Sequence, residues 1–251
     1  MFNESYKEIF EKRGKEYDLA MCKFPNARDE EFFNIINIAD LKDNQSLLDI
    51  PSGGCYLKRY IPGSVNYLPI ETTETFANFC RKNNSIEPIV VENIHNLPFK
   101  NESVDRIISL AGIHHLTDKD KEKFYIESFR ILKKGGIFAL ADVFEGTPSG
   151  RFLNEFVDKY NPMGHKGIFL NKKTTNTLEN IGFRINFSEV KNYYWKFKTQ
   201  TEMIEFIKLL FGIFKADNNS LLEGLNKYLG FIENQGQILL NWQLFFIKAI
   251  K

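Results

Sequence analysis

Leu47-Leu48-Asp49-Ile50-Pro51-Ser52-Gly53-Gly54-Cys55 is the stretch whose reading decides the fold. An apolar run ending in an acid reads as a short buried strand, and the small residues after it read as a tight turn. A second acid, Glu71, closes the next strand-like segment 22 positions after Asp49. A turn that lets backbone approach a ligand, followed by a carboxylate able to accept both ribose hydroxyl protons, points to a nucleoside cofactor.

Working outward, strand-like runs at 46–50, 64–70, 87–92, 104–110 and 136–142 alternate with helix-like runs at 54–60, 73–83 and 118–133. Thr72 and Thr117 suit helix N-caps, and Lys133-Lys134-Gly135-Gly136 reads as a basic helix end with a glycine stop. The alternation predicts an α/β fold with a parallel sheet and right-handed crossovers. Pro69 sits awkwardly inside its run, since it cannot donate to a ladder. Two helical segments, 3–20 and 28–39, precede the first strand and are separated by Pro25. After residue 142 the sequence predicts helices at 148–160 and 172–181, the latter ended by Gly182, then a strand at 183–190. Two helical patterns follow within 199–234, split by Asp217-Asn218-Asn219, before a last strand at 238–249.

Composition narrows the functional classes. The 251 residues, 43% hydrophobic, suffice for one α/β domain with a sizeable core. Lys plus Arg is 33 against 32 Asp plus Glu, so no basic field favours nucleic acid or an anionic membrane. No apolar run reaches the ~18 residues of a spanning helix, and Met1-Phe2-Asn3-Glu4-Ser5-Tyr6-Lys7-Glu8 lacks the basic-then-apolar pattern of a secretion signal. Cys22, Cys55 and Cys80 are an odd, scattered set without Cys-x-x-Cys. That usage predicts a reducing, cytoplasmic location, no disulfide framework and no metal site.

Three further motifs follow the first turn in order: Ile89-Val-Val-Glu-Asn-Ile-His-Asn-Leu-Pro-Phe99, Ser103-Val-Asp-Arg-Ile-Ile-Ser-Leu-Ala-Gly-Ile-His-His-Leu116, and Phe129-Arg-Ile-Leu-Lys-Lys-Gly-Gly136. Together with 47–55 they resemble the class I S-adenosylmethionine-dependent methyltransferases, most closely the small-molecule branch that includes ubiquinone/menaquinone-type enzymes. The resemblance covers 46–142 well and the last strand loosely. It implies a Rossmann-like, seven-stranded, mostly parallel sheet with the last strand antiparallel and helices on both faces. Residues 1–251 would form one domain: an N-terminal helical cap (1–40), a cofactor-binding core (46–142), acceptor-side segments (143–170 and the helical insert 199–234), and the last strand (238–249).

The resemblance also implies S-adenosyl-L-methionine as cofactor. Asp49, Pro51, Ser52 and Gly53 would face its methionine part, with Glu71 and the adjoining Thr72 at the ribose. Asn93 stands where the family usually carries Asp, near the adenine amino group, and its side-chain oxygen can still accept that hydrogen bond. Ile94 would offer its amide to a ring nitrogen, and Leu110 and Ala111 would line the sulfonium. The family turn is usually Asp-x-Gly-x-Gly-x-Gly, whereas those glycine positions here hold Pro51, Gly53 and Cys55.

Methyl transfer asks the protein to align an acceptor, exclude water and, for a protonated acceptor, supply a base. Histidine titrates in the right range. His114 and His115 follow the fourth strand-like run, and His165 lies in the loop after the fifth. These are the catalytic candidates, with packing or backbone hydrogen bonding as the plainer role; His95 reads as structural. Asp142 suits either a histidine partner or a helix cap. Tyr17 and Arg28 could close over the cofactor from the N-terminal helices, or could be a packing aromatic and a surface ion pair. Tyr193, Tyr194, Trp195 and Phe197, then Met203, Phe206, Ile207, Leu210, Phe211 and Phe214, form an aromatic and apolar stripe. It suits a wall around a hydrophobic or aromatic small-molecule acceptor, sheet packing, or a homodimer seam.

Two rivals remain open. A nicotinamide-dependent dehydrogenase shares the strand–turn–acid logic but expects Gly-x-Gly-x-x-Gly, which is absent. A methyltransferase-fold protein acting as a non-catalytic partner, or catalysing a different reaction, fits the altered turn. Nucleic-acid methylation is disfavoured by the flat charge and by the absence of Asn/Asp-Pro-Pro-Tyr-type and Pro-Cys motifs.

Overall fold

Strand β1 (Ser46–Asp49) lies inside the sheet because its neighbours on both sides supply parallel partners. Leu47 aligns with Tyr67 of β2 (Asn66–Glu71) and with Arg106 of β4 (Val104–Leu110). The computed structural model describes residues 6–251, with side chains from residue 11 onward, so the start of the 3–20 helix and the residues Met1–Ser5 lie outside the described residues. The strand order is β3-β2-β1-β4-β5-β8-β6, where β3 is Ile89–Val90, β5 Leu132–Asp142, β6 Arg184–Phe197 and β8 Gln237–Ile250. β8 runs antiparallel to both β5 and β6, as the expected last strand does.

Each sheet face has its own core. Leu47, Ile108, Ala139, Ala141, Leu244 and Phe246 pack toward helices α1 (Tyr6–Lys23) and α2 (Asp29–Ala39). Leu48, Ile50, Ile70, Ile107, Phe138, Leu140 and Ile247 pack on the other face, which Phe124 and Tyr125 of α4 (Asp118–Ile131) help to cover. The alternation of neighbours such as Leu47 and Leu48 between the two cores is the period-2 pattern of a strand buried on both faces. Helix α3 (Glu74–Asn84) follows β2.

Several local expectations need correction. The N-cap of α3 is Thr73, whose hydroxyl accepts from the Phe76 amide, and not Thr72. Thr117 does cap α4, accepting from Asp120. Lys133–Gly136 is not a helix end: α4 stops at Ile131 and β5 begins at Leu132, with Gly135 at φ +73°. The run 54–60 forms only a tight turn of 3-10 helix, Tyr56–Tyr60. β6 continues to Phe197, held along its length by β8. The helix after β5 comes in three pieces, Pro148–Arg151, Phe152–Val157 with π-helical winding, and Asp158–Tyr160 (together α5). α6 (Lys173–Ile181) ends at Gly182 as read.

The insert holds α7 (Gln200–Phe211) and α8 (Asn218–Tyr228), but its end is a strand, β7 (Phe231–Asn234), which forms a hairpin with β8. The two turn residues, Gln235 and Gly236, both have positive φ, the geometry that matches strand twist in tight hairpins. The sheet therefore has eight strands rather than seven. Pro69 is accommodated because β3 begins to pair with β2 only at Ile70, leaving an open edge at the proline. The expectation of no disulfide is overturned: Cys55 and Cys80 are bonded, with Cα atoms 5.2 Å apart, tying the first turn to α3. Cys22 is free.

Candidate functional site

Asp49 and Glu71 end adjacent parallel strands on one sheet face. Asp49 aligns with Pro69, and Glu71 lies two residues further along, so the pleat sends both carboxyl groups the same way. Both are almost fully buried. Asp49 accepts from the Tyr67 hydroxyl at 2.6 Å, and Glu71 Oε1 accepts from Ser52 Oγ at 2.6 Å and from the Gly54 amide at 3.2 Å. Burial pushes Glu71 up to about 7, against the pull of Ser52 and the turn amides. Burial pushes Asp49 up to about 8, and the neighbouring Glu71 charge adds to it, while the Tyr67 hydroxyl opposes the shift. Two carboxyls facing one space cannot both ionise cheaply without a ligand that donates to them.

The turn between them fits an adenosyl group. Glu71 Oε2 is buried and has no hydrogen-bond partner among the described residues, an acceptor left for a ribose hydroxyl. Gly53 has φ +60°, and a Cβ there would meet nothing within 4 Å, so its backbone faces open space. Cys55, at the position the family gives to glycine, adopts the left-handed conformation that glycine favours (φ +64°) and is buried. Pro51 follows a cis peptide and packs on Gly112, where an added Cβ would lie 2.6 Å from Pro51 Cγ. The segment that holds Asn93 and Ile94 follows β3 and is pinned beside the end of β2, the Val91 amide donating to Glu71 O at 2.8 Å. Asn93 Oδ1 accepts from the His95 amide at 3.3 Å, so the histidine read as structural serves that loop.

Beyond Leu110, Ala111 takes a positive φ of +50°, held by its amide donating to Ala141 O at 2.7 Å. A non-glycine residue in that region is uncommon and concentrates at ligand-facing turns. Ala111 also lines a cavity of about 80 Å³ that reaches under α1, α2 and α7. Tyr17, Arg28, His114, His115 and His165 all line this cavity, so the structure brings these expected site residues together.

One wall is aromatic. Trp195 and Trp242 stack at 4.3 Å, and Phe211 stacks on both. Behind it, Arg28 is buried and forms an ion pair with Glu31, while its other terminal nitrogen donates to the Tyr17 hydroxyl at 2.8 Å. The second Glu31 oxygen accepts from Tyr193 Oη and Trp195 Nε1, both at 2.9 Å. Arg28 is thus neither a surface ion pair nor a free ligand arm; it and Glu31 lock the N-terminal helices to β6. Of the apolar stripe, Met203, Phe206, Ile207 and Leu210 are core, while Phe214 is exposed.

The opposite wall is imidazole. The Asp142 carboxylate accepts from the Ile113 and His114 amides and from His114 Nδ1 at 2.7 Å, so it both caps the turn at Ile113–His115 and orients the ring. His165 Nδ1 lies 2.9 Å from Asn154 Oδ1. Burial lowers His165 to about 3, with the His114 ring next in effect, and pushes His115 well below its ordinary value for the same reasons. Both rings are neutral at physiological pH.

Four residues escaped sequence reading. Arg13 lines the cavity, its Nε buried and without a partner among the described residues, and it shares a helix face with Tyr17 four positions on. Glu31 stands three residues after Arg28, a helical ion-pair spacing that could have found it. Asn154 and Trp242 carry no local signal; only the fold delivers them.

Residues 48–140 match the family described as "Methyltransferase domain". An uncharacterised protein of Methanocaldococcus jannaschii is 32% identical over 133 residues, 53% of this chain and 49% of the relative, so the chain spans about half the length of that relative. An uncharacterised methyltransferase of Anoxybacillus flavithermus is 22% identical over 205 residues, 76% of this chain and 95% of its own. Among solved structures, a Thermotoga maritima S-adenosylmethionine-dependent methyltransferase, described as a possible histamine N-methyltransferase, superposes with a TM-score of 0.63 at 18% identity, covering 98% of this chain and 99% of that one. Residues 48–140 thus carry a methyltransferase domain, and the fold around it is that of the class I S-adenosylmethionine-dependent methyltransferases. Nothing singles out the quinone branch.

Proposed function

We propose that the protein transfers the methyl group of S-adenosylmethionine to a small-molecule acceptor seated in the cavity between the Trp195–Trp242 wall and the three imidazoles. The cofactor supplies a methyl group already activated on a sulfonium. Glu71 and the 51–54 turn would hold its adenosine and methionine ends, and Ala111 would stand at the sulfonium. What carries this reading is that the cavity starts at Ala111, where the cradle ends, and is apolar on one side and nitrogen-rich on the other.

The stacked indoles suit a flat or apolar acceptor body. Asp142 accepts at His114 Nδ1 and Asn154 at His165 Nδ1, so the opposite nitrogens of those rings keep their lone pairs for the acceptor's reacting group. The orphaned Arg13 Nε offers a donor to an acidic or carbonyl-bearing acceptor. His114, His115 and His165 therefore receive and orient the acceptor's proton-bearing atom, and α1, α2 and α7 exclude water from it.

The test is titration calorimetry with S-adenosylhomocysteine followed by an acceptor screen read by S-adenosylhomocysteine release. Binding with Glu71→Gln weakened, and release with a flat hydroxy, amino or thiol compound, are expected. Absence of cofactor binding by folded protein sinks the proposal. A purely non-catalytic role would show as binding without release for every acceptor.

A further inference from the structure

We propose that His114, His115 and His165 form a three-histidine site for a divalent transition metal of the zinc type, opening onto the acceptor cavity. One ligand nitrogen from each ring lies within 4.8 Å of the other two. The ring centroids stand 4.2, 5.5 and 5.6 Å apart. An ion about 2.1 Å from three imidazole nitrogens needs them roughly 3.4 Å apart in a tetrahedral arrangement. Closing the triangle takes about an ångström of ring movement. Two of the three rings, His115 and His165, are only half-buried and border the cavity, which gives room for it.

The support behind the rings is what distinguishes this cluster from a chance meeting of histidines. Asp142 Oδ2 accepts from the Ile113 and His114 amides and Oδ1 from the Val143 amide, so the carboxyl group is set as an acceptor and His114 Nδ1 donates to it. This is the carboxylate–histidine pair that orients metal-binding imidazoles and raises their donor strength. Asn154 is fixed in the same sense. Its Nδ2 donates to Gly167 O at 2.8 Å and its Oδ1 accepts from the Gly167 amide at 2.8 Å, so the oxygen faces His165 and accepts from Nδ1. Both rings thus present Nε2 as an acceptor lone pair. The two supports come from different segments, β5 and α5, and neither is needed to cover the cavity. Three protein nitrogens with the remaining position facing a cavity is the pattern of a metal that binds a small molecule rather than a structural one.

This inference rests on the proposed acceptor site and deepens it: the acceptor would bind through oxygen or sulfur. Coordination would raise the acidity of a bound hydroxyl or thiol, so that its proton would leave to solvent and the resulting anion would attack the methyl carbon. The new bond from oxygen or sulfur to carbon forms as the carbon–sulfonium bond breaks, and neutral S-adenosylhomocysteine remains. Arg13, which lines the same cavity and is anchored by Nη2 donating to Leu210 O at 3.0 Å, would balance the anion with its positive charge.

Metal-stripped protein is titrated with Zn2+ by calorimetry, and the metal retained after gel filtration is counted by elemental analysis. One equivalent per chain is expected, with His165→Ala weakening binding at least 100-fold and Asn154→Ala about 10- to 100-fold. Because either variant could perturb folding, each is also titrated with S-adenosylhomocysteine, whose affinity should stay within about 2-fold of wild type. Failure to retain a stoichiometric ion, or equal Zn2+ affinity in His165→Ala, overturns the site. Turnover that persists undiminished in stripped protein under chelator overturns it while leaving methyl transfer intact. Stoichiometric Zn2+ without S-adenosylhomocysteine binding upholds the site and sinks the methyltransferase reading instead.

Discussion

With Glu71 at the ribose, as proposed, cofactor binding becomes a proton-linked event. Its carboxyl sits near 7 in the ligand-free protein because it is buried and only one of its oxygens is satisfied. Ribose hydroxyls donating to Oε2 would favour the carboxylate and return the group toward the ordinary value near 4.5. A proton is then released on binding, so affinity rises with pH and levels above about 7. A shift from about 7 to about 4.5 corresponds to roughly 3 kcal/mol and makes binding about 40-fold weaker at pH 5 than at pH 7. The stability of the ligand-free protein runs the other way. A carboxyl raised by folding stabilises fully below its unfolded value, and that contribution is lost as pH rises through about 7. The assay is calorimetric titration with S-adenosylhomocysteine from pH 5 to pH 7 in two buffers of different ionisation enthalpy. Glu71→Gln serves as the reference that removes the titration of ligand and of Asp49. Proton release in wild type that vanishes in Glu71→Gln is expected. A pH-independent affinity, or the same proton release in both proteins, would refute the role of Glu71 at the ribose.

Other perturbations probe the frame. Glu31→Ala strands the buried Arg28 and removes the acceptor of Tyr193 and Trp195, so a loss of about 3–5 kcal/mol in denaturant unfolding is expected; a loss below 1 kcal/mol would show the lock to be dispensable. Gly112→Ala drives a methyl group into Pro51, costing about 1–3 kcal/mol and weakening S-adenosylhomocysteine binding with it; unchanged affinity would separate the turn from the cofactor. Reducing the Cys55–Cys80 bond frees a chain segment of 25 residues' separation, for which chain entropy gives about 3.5 kcal/mol. A melting temperature that does not fall under reductant would mean the bond contributes nothing. His115→Ala should lower turnover far more than cofactor affinity, and unchanged turnover removes it from the mechanism.

The sheet was legible where a short buried apolar pair stands beside an acid or a turn, as Leu47-Leu48 before Asp49 and Ile107-Ile108 within 104–110. It was misread where tertiary pairing overrode local signals. Lys133 and Lys134 look like a helix end, yet β5 takes them in. The long β6 could not be seen past Val190, because Lys191 interrupts the buried face and Asn192 and Lys196 stand on the exposed one, while β8 supplies the pairing. β7 was hidden because an edge strand of four residues has almost no periodicity. The proposed cofactor cradle was legible because its chemistry lies in one continuous turn plus one acid at a fixed crossover distance.

The acceptor cavity shows why the rest was not. Its walls come from α1, α2, α5, β6, α7, β8 and the loops that follow β4 and β5, and only topology brings Arg13, His114, His165, Trp195 and Trp242 to one space. Sequence could mark the histidines by chemical type, but it could not rank them. The ranking depends on what each ring's other nitrogen meets, and those partners, Asp142 and Asn154, are 28 and 11 residues away from their rings. A residue's type thus sets what chemistry it can do, and the partner that fixes its tautomer sets which of its atoms does it. For that reason the decisive substitution in the cavity is Asn154 rather than a histidine. Removing a ring removes everything, whereas Asn154→Ala leaves all three imidazoles in place and releases the orientation of one together with the Gly167 backbone that Asn154 also holds. Loss of function with the rings intact would show that the site works by alignment, and full function would show that the rings need no such support.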